Sequence, residues 1–226
     1  MVKLFLSGGG DEKQTKNFDG VFAKSIPNPK RILYIPIAMP RTKFTECFNW
    51  INKSLNSLGI DNIDMWTNIH NKNISELEKY DAIYIGGGNT FSLLNKLKKS
   101  GFDKLLEKYV QNGKIIYGGS AGAIILGRDI QTAGFGRDSD KNIVSLKNFD
   151  GLNLIKNYSI QCHYFPEEKE LMKRFAEKNK FQIIALPEET GIYLKNNLIK
   201  IIGEKNAFLF TPTKIKTLKI NSTFKI

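Results

Sequence analysis

The thirteen residues from Lys114 to Leu126, Lys-Ile-Ile-Tyr-Gly-Gly-Ser-Ala-Gly-Ala-Ile-Ile-Leu, restrict the fold more than any other part of the chain. An apolar β-run enters Gly118-Gly119-Ser120-Ala121-Gly122 and leaves as an apolar helical start, so a strand must turn sharply into a helix with a serine at the apex. Gly-x-Ser-x-Gly in that setting is a nucleophile elbow, in which glycines relieve the crowding of a strained turn and the hydroxyl stands above the sheet edge. The helix that follows brings free N-terminal amides and the positive end of its dipole, which favour an oxyanion beside the serine. The five-residue pattern alone says little; its strand-turn-helix context makes Ser120 the expected nucleophile.

Around this stretch, strand and helix alternate. Val2 to Leu6 reads as a β-run ending in Ser7-Gly8-Gly9-Gly10, and Glu12 to Ser25 as a helix. Arg31 to Ile37 is a second strand, followed by a helix over 42–58 in which Phe44, Phe48, Ile51 and Leu55 recur at helical spacing. Asn62 to Trp66 is a short strand. Asp81 to Ile85 closes on Gly86-Gly87-Gly88-Asn89-Thr90, and helices are expected over 90–97 and 102–111. Such repeats predict an α/β fold: a three-layer sandwich with a mostly parallel central sheet, the elbow after a central strand. Ligands of such sheets bind beyond the carboxyl ends of the strands, so the turns at Gly8 to Gly10, Gly86 to Gly88 and Gly118 to Gly122 are expected along one rim. No dinucleotide or P-loop fingerprint accompanies them.

The second half has shorter elements. Asp129 to Ala133 and Ile143 to Leu146 read as short strands flanking the polar loop Gly134 to Asp140. Tyr158 to Tyr164 is a strand running into Phe165-Pro166, followed by a charged helix ending near Lys180. Gln182 to Leu186 is another strand, and Gly191 to Leu194 with Ile199 to Ile202 forms a hairpin turning at Asn196-Asn197. Segments 206–210 and 215–220 are expected as edge strands, completing a C-terminal set of β-hairpins. With no linker or repeat in 226 residues, one domain over 1–226 is expected.

Charge and cysteine usage narrow the functional classes. A net charge of +12 suggests nucleic acid, but the lysines are scattered along helix-like segments beside acids, so a solvated surface is expected instead. Cys47 and Cys162 are too few for a disulfide framework or a zinc site. No apolar run is long enough to span a bilayer, and Met1 to Ser7 leads into glycines rather than a leader segment, so a cytoplasmic protein without membrane partners is expected.

A serine nucleophile needs a base and a group to hold that base. The chain has two histidines. His70 lies in a polar connection, whereas His163 ends a strand just before Phe165-Pro166 and can reach the rim that carries Ser120. Cys162 adjoins His163, but neighbours on a strand point to opposite faces, so it is expected in the core. Glu188 and Glu189 both follow Leu186-Pro187 and are alternative partners for the histidine.

Gly86-Gly-Gly-Asn-Thr90, Gly118-Gly-Ser-Ala-Gly122, His163 and Leu186-Pro-Glu188 together resemble the dipeptidase E and cyanophycinase family of serine peptidases, whose fold is related to class I glutamine amidotransferases. The resemblance implies Ser120 as nucleophile, His163 as general base and Glu188 as the orienting carboxylate. It further implies an oxyanion hole from the amides of Gly88 and Ala121, contact of Asn89 with a bound peptide, and hydrolysis of short peptides without a metal or organic cofactor. Aspartyl dipeptidases of this kind are expected to carry an arginine after the histidine; here the segment is Pro166-Glu-Glu-Lys-Glu170, leaving Arg174, Arg137 and Lys169 as substitutes. A cyanophycinase-like specificity and a non-catalytic small-molecule-binding domain are the alternatives, and the sequence leaves monomer and homodimer open.

Overall fold

A computed structural model describes residues 2–226. In chain order the elements are β1 (Lys3–Ser7), α1 (Glu12–Ser25), β2 (Arg31–Ile35), α2 (Phe44–Asn56), β3 (Asn62–Met65), α3 (Ile74–Leu77), β4 (Ala82–Ile85), α4 (Thr90–Ser100), α5 (Phe102–Gln111), β5 (Ile115–Gly119) and α6 (Ala121–Leu126). They continue as β6 (Tyr158–Gln161), α7 (Lys169–Asn179), β7 (Gln182–Ala185), β8 (Thr190–Lys195), β9 (Leu198–Gly203), β10 (Ala207–Phe210), β11 (Ile215–Leu218) and β12 (Thr223–Lys225).

The central sheet has eight strands in the order β12-β9-β8-β1-β5-β4-β2-β3. From β1 to β3 all pairings are parallel, while β8, β9 and β12 extend the sheet antiparallel beyond β1. The elbow strand β5 therefore lies between β1 and β4, and the three glycine turns leave adjacent strands at their carboxyl ends.

Strand parity divides the core into layers. Leu4, Leu6, Ile83, Ile85 and Ile116 pack with α4, α5 and α6 on one face, whereas Phe5, Tyr34, Tyr84 and Tyr117 pack with α1 and α2 on the other. Helix boundaries follow local chemistry. Asp11 caps α1 by accepting from the amides of Lys13 and Gln14 while Gln14 reaches back to the Asp11 amide, a reciprocal capping box. Gly101, left-handed at φ 71°, ends α4 and starts α5.

Strands β6 and β7 form a second, four-stranded sheet of order β11-β10-β7-β6, packed on α7. Three expectations are corrected. Residues 207–210 form an interior strand of that second sheet, paired on both sides, whereas 215–218 is one of its two edges. Residues 129–133 and 143–146 are not strands: Gln131–Gly134 is a single 3-10 turn and Asp129 makes only an isolated bridge to Asp150. These short apolar runs have no strand neighbour to complete their hydrogen bonds, so turn chemistry prevails. The helix expected over 42–58 begins as a 3-10 turn at Arg41–Lys43 and becomes α-helical at Phe44.

The carboxyl of Asp19 lies inside the aromatic layer of this core. Asp19 on α1 is 2% exposed, with its Oδ1 2.6 Å from the Tyr117 hydroxyl and its Oδ2 2.7 Å from Thr15 Oγ1. Thr15 Oγ1 is also 3.0 Å from the Asp11 carbonyl oxygen, which can only accept, so a protonated Asp19 completes the series by donating to Thr15. Burial pushes the carboxyl up to about 6 from an ordinary 3.8, although the hydrogen bonds it shares with Tyr117 and Thr15 act in the opposite direction. Below the lower value both folded and unfolded chains carry the proton; as pH rises the unfolded chain ionises first, so stability is lost until the folded carboxyl ionises too. The loss amounts to roughly 3 kcal/mol between about pH 4 and about pH 6. Asp19→Asn keeps both hydrogen bonds without the ionisation, so its urea midpoint should rise relative to wild type across that window. Parallel pH profiles for the two proteins would refute the neutral buried carboxyl.

Candidate active site

Ser120 stands between the last residue of β5 and the first of α6 with φ 49° and ψ −112°, a conformation that non-glycine residues rarely adopt. Its amide donates to the Ser7 carbonyl at 3.2 Å, which ties the apex to β1, and its carbonyl accepts from Ala123 and Ile124 to begin the helix. The turn can be this tight because Gly122 lies against the Ile85 carbonyl: a Cβ there would approach the oxygen to 2.2 Å.

His163 comes from the second sheet. Its amide donates to the Gly8 carbonyl at 2.9 Å, and φ 51° turns the residue out of the line of β6. Gly9 lies directly against the imidazole, so close that a Cβ would come within 2.2 Å of Cε1. His163 Nε2 is 2.8 Å from Ser120 Oγ and Nδ1 is 2.9 Å from Glu188 Oε1. The separation of Cys162 from the histidine is as expected, but this backbone turn past the strand end causes it, not strand alternation. The Cys162 thiol is buried 3.5 Å from the Ser7 and Ser120 carbonyls, and burial raises its pKa far above the ordinary thiol value.

The adjacent acids separate in the same way. Glu188 faces the histidine, while Glu189, at φ 67°, turns to Lys205, whose Nζ is 2.6 Å from Glu189 Oε2. Burial opposes ionisation of Glu188, but hydrogen bonds from His163 and Gln14, with the charges of His163 and Lys205, outweigh it and hold the carboxyl below its usual range. Gln14 donates to Glu188 Oε2 at 3.0 Å, using the Nε2 that its capping-box role leaves free. Sequence reasoning missed this residue; its signal was the Asp11-x-x-Gln14 pattern directly after the first glycine turn.

Two cavities flank Ser120 and His163. One, of about 450 Å³, opens toward α2, with Tyr34, Trp50 and Tyr84 as its aromatic wall and the glycine turns along its rim. The other, of about 260 Å³, lies toward α4 and is polar, with Thr90, Asp138, Asp140 and Gln161 in its wall. Thr90 Oγ1 and Gln161 Oε1 are buried there with no hydrogen-bond partner among the described residues. The polar loop 134–140 showed itself in the sequence, but its side chains could not be placed without the fold.

The amides of Gly88 and Ala121 form no hydrogen bond among the described residues, and Gly88 lines both cavities with Ser120. Asn89 is engaged within the protein: its side-chain oxygen accepts from the Ser92 amide at 2.9 Å and its nitrogen donates to the Lys141 carbonyl at 2.8 Å. It lines neither cavity. Arg137 stacks over Phe165, Arg174 and Lys169 are exposed on α7, and none of the three lines either cavity. His70 is exposed in a separate recess with Arg41 and Lys96. Chemically, a hydroxyl, imidazole and carboxylate in hydrogen-bonded series can pass the hydroxyl proton to the ring and stabilise the resulting imidazolium.

Among the described residues no helix is long and apolar enough to cross a membrane. Comparisons with known proteins show the family. An uncharacterised peptidase of Listeria monocytogenes, Lmo0363, is 34% identical over 174 residues, covering 74% of this chain and 82% of that protein. Peptidase E of Pasteurella multocida is 28% identical over 208 residues, covering 86% of this chain and 85% of that protein. A crystal structure from Listeria monocytogenes EGD-e, provisionally described as peptidase E, superposes with a TM-score of 0.72 at 30% identity, covering 91% of this chain and all of the other. A peptidase from an acI-B1 actinobacterium shares the fold at 18% identity, with a TM-score of 0.78 over all of this chain and 97% of the other. The model of peptidase family S51 matches residues 4–202, and the chain belongs to that family.

Proposed function

We propose that this peptidase hydrolyses short peptides through Ser120, His163 and Glu188. The observation that carries the reading is the unbroken series from Ser120 Oγ to His163 Nε2 at 2.8 Å and from Nδ1 to Glu188 Oε1 at 2.9 Å. Binding a small molecule requires no such relay, which sets this reading above a non-catalytic domain. Ser120 Oγ attacks the scissile carbonyl carbon while its proton passes to Nε2, and the oxyanion accepts from the amides of Gly88 and Ala121. The C–N bond then breaks as the imidazolium protonates the departing amine. Water, losing a proton to His163, attacks the acyl ester and frees the acid and the serine. Glu188 stays ionised throughout and holds the ring in the tautomer that presents an unprotonated Nε2 to the hydroxyl.

The polar cavity suits the free amino terminus of a short substrate. An ammonium has only donors to offer, and this wall presents the unpartnered Gln161 Oε1 and the carboxylates of Asp138 and Asp140 beside the nucleophile. Asn89 supports that wall from behind, since its bond to the Lys141 carbonyl fixes the chain next to Asp140.

Ser120→Ala should lower kcat by at least ~10³-fold while its unfolding free energy stays within ~1 kcal/mol of wild type. Turnover of a dipeptide panel with circular dichroism checks both. Activity near wild type in a folded variant would remove Ser120 from the mechanism.

The two acids give a sharper test. Glu188→Gln removes the charge opposite the imidazolium and should cost roughly 10²-fold in kcat, whereas Glu189→Gln, which loses only the pair to Lys205, should stay within about 3-fold. Two near-silent variants, or the reverse order, would exclude Glu188 as the orienting group.

A further inference from the structure

The larger cavity beside Ser120 has a composition that the peptidase mechanism alone does not explain. Tyr34, Trp50 and Tyr84 line it together with Met39 and Cys47, and it reaches Ser120, His163 and the glycine turns themselves. Its depth is set by the absence of side chains at those turns: a Cβ on Gly119 would touch the Tyr84 hydroxyl at 3.3 Å, and one on Gly86 would meet the Tyr34 hydroxyl at 2.9 Å. Burial keeps both phenols neutral, each raised well above the ordinary tyrosine value. The only charged side chain in the wall is Glu46, at the exposed mouth, where it pairs with Lys43 at 2.6 Å.

From this we infer that the cavity selects an apolar or aromatic side chain on one of the two residues joined by the scissile bond; the inference rests on the peptidase reading above. About 450 Å³ is ample for an aromatic ring, which would find aromatic edges and faces, the Met39 thioether and the Cys47 thiol as neighbours. An acidic side chain would lose its water there and meet no cation. Arg137, Arg174 and Lys169 lie outside the wall, Lys43 is already paired, and the wall itself carries the like charge of Glu46. The polar cavity on the other side of Ser120 cannot compensate, because its charged wall residues are Asp138 and Asp140. Both sides of the nucleophile therefore disfavour a carboxylate, and one side favours a ring.

Cys47 provides a reporter that needs no turnover. It is half-buried in this wall, whereas Cys162 is fully buried, so a small maleimide should modify Cys47 alone. In the Ser120→Ala protein, N-ethylmaleimide labelling of Cys47, read by mass spectrometry, should be slowed several-fold by Phe-Ala or Ala-Phe and not by Asp-Ala or Ala-Asp. In wild type, kcat/KM for the better of the two Phe dipeptides should exceed that for either Asp dipeptide by at least ~10-fold. Trp50→Ala should shrink the ratio of Phe to Ala dipeptides. Protection by Phe dipeptides without hydrolysis of any dipeptide would uphold the cavity assignment and sink the peptidase reading. Hydrolysis that favours Asp dipeptides, labelling slowed by them or by none, or an unchanged ratio in Trp50→Ala would overturn the cavity assignment while leaving the peptidase reading to stand on Ser120.

Discussion

The active-site geometry depends on the joint between two sheets. Ser120 belongs to the large sheet and His163 and Glu188 to the ends of β6 and β7 in the small one, and at this point the sheets are joined by the chain from β7 into β8, by the Cys162 thiol against the Ser7 and Ser120 carbonyls, and by the backbone of Gly8. The Gly8 carbonyl accepts from His163 and its amide donates to Thr190, while the Leu186 amide reaches the Gln161 carbonyl and the Tyr164 amide reaches Leu186. A side chain at Gly8 would strike the Leu186 and Pro187 carbonyls. The first glycine turn is therefore a seat for His163 and for the segment that carries Glu188. A shift of this joint by an ångström would part Ser120, His163 and Glu188, so the positions of β6 and β7 matter to the proposed chemistry as much as the elbow does.

Much of this was legible in the residues. The elbow, the three glycine turns on one rim, the hairpin at Asn196 and the helix beginning at Glu12 all follow from local spacing and turn chemistry, where sequence speaks directly. What sequence could not supply was partnership between distant segments. Nothing in Tyr158 to Gln161 says that it pairs with Gln182 to Ala185 instead of joining the central sheet, since a short buried strand looks the same in either place. Gln14 and Gln161 were overlooked for the same reason. Each is an ordinary polar residue on a helix or strand until a neighbour 174 positions away, or a cavity wall, gives it something to do. The two positive-φ residues His163 and Glu189 also escaped, because a non-glycine left-handed turn is imposed by tertiary contacts and has no local signature.

The unlike cavities on either side of Ser120 follow from the parity of the strands beneath them. Tyr34, Tyr84 and Tyr117 share the face covered by α1 and α2, whereas Ile35, Ile85 and Ile116, each one residue away, share the face covered by α4 to α6. The aromatic layer does not stop at the rim. Tyr84 and Tyr117 stack with centroids 4.1 Å apart, Trp50 meets Tyr84 edge-on at 6.4 Å, and Tyr34 meets Tyr84 at 5.7 Å, so the cavity near α2 is the open end of that layer. On the opposite face the aliphatic layer is sealed by α4 and α6, and the rim above it is built from the polar chain that follows α6. One cavity therefore carries the aromatic rings Tyr34, Trp50 and Tyr84, and the other the polar groups of Thr90, Asp138, Asp140 and Gln161. Changing which side chains the enzyme accepts would then require altering α2 or residues at the ends of β2 and β4, while the relay, built from β5, β6 and β7, stays as it is. On the proposed function, specificity and chemistry then rest on different strands.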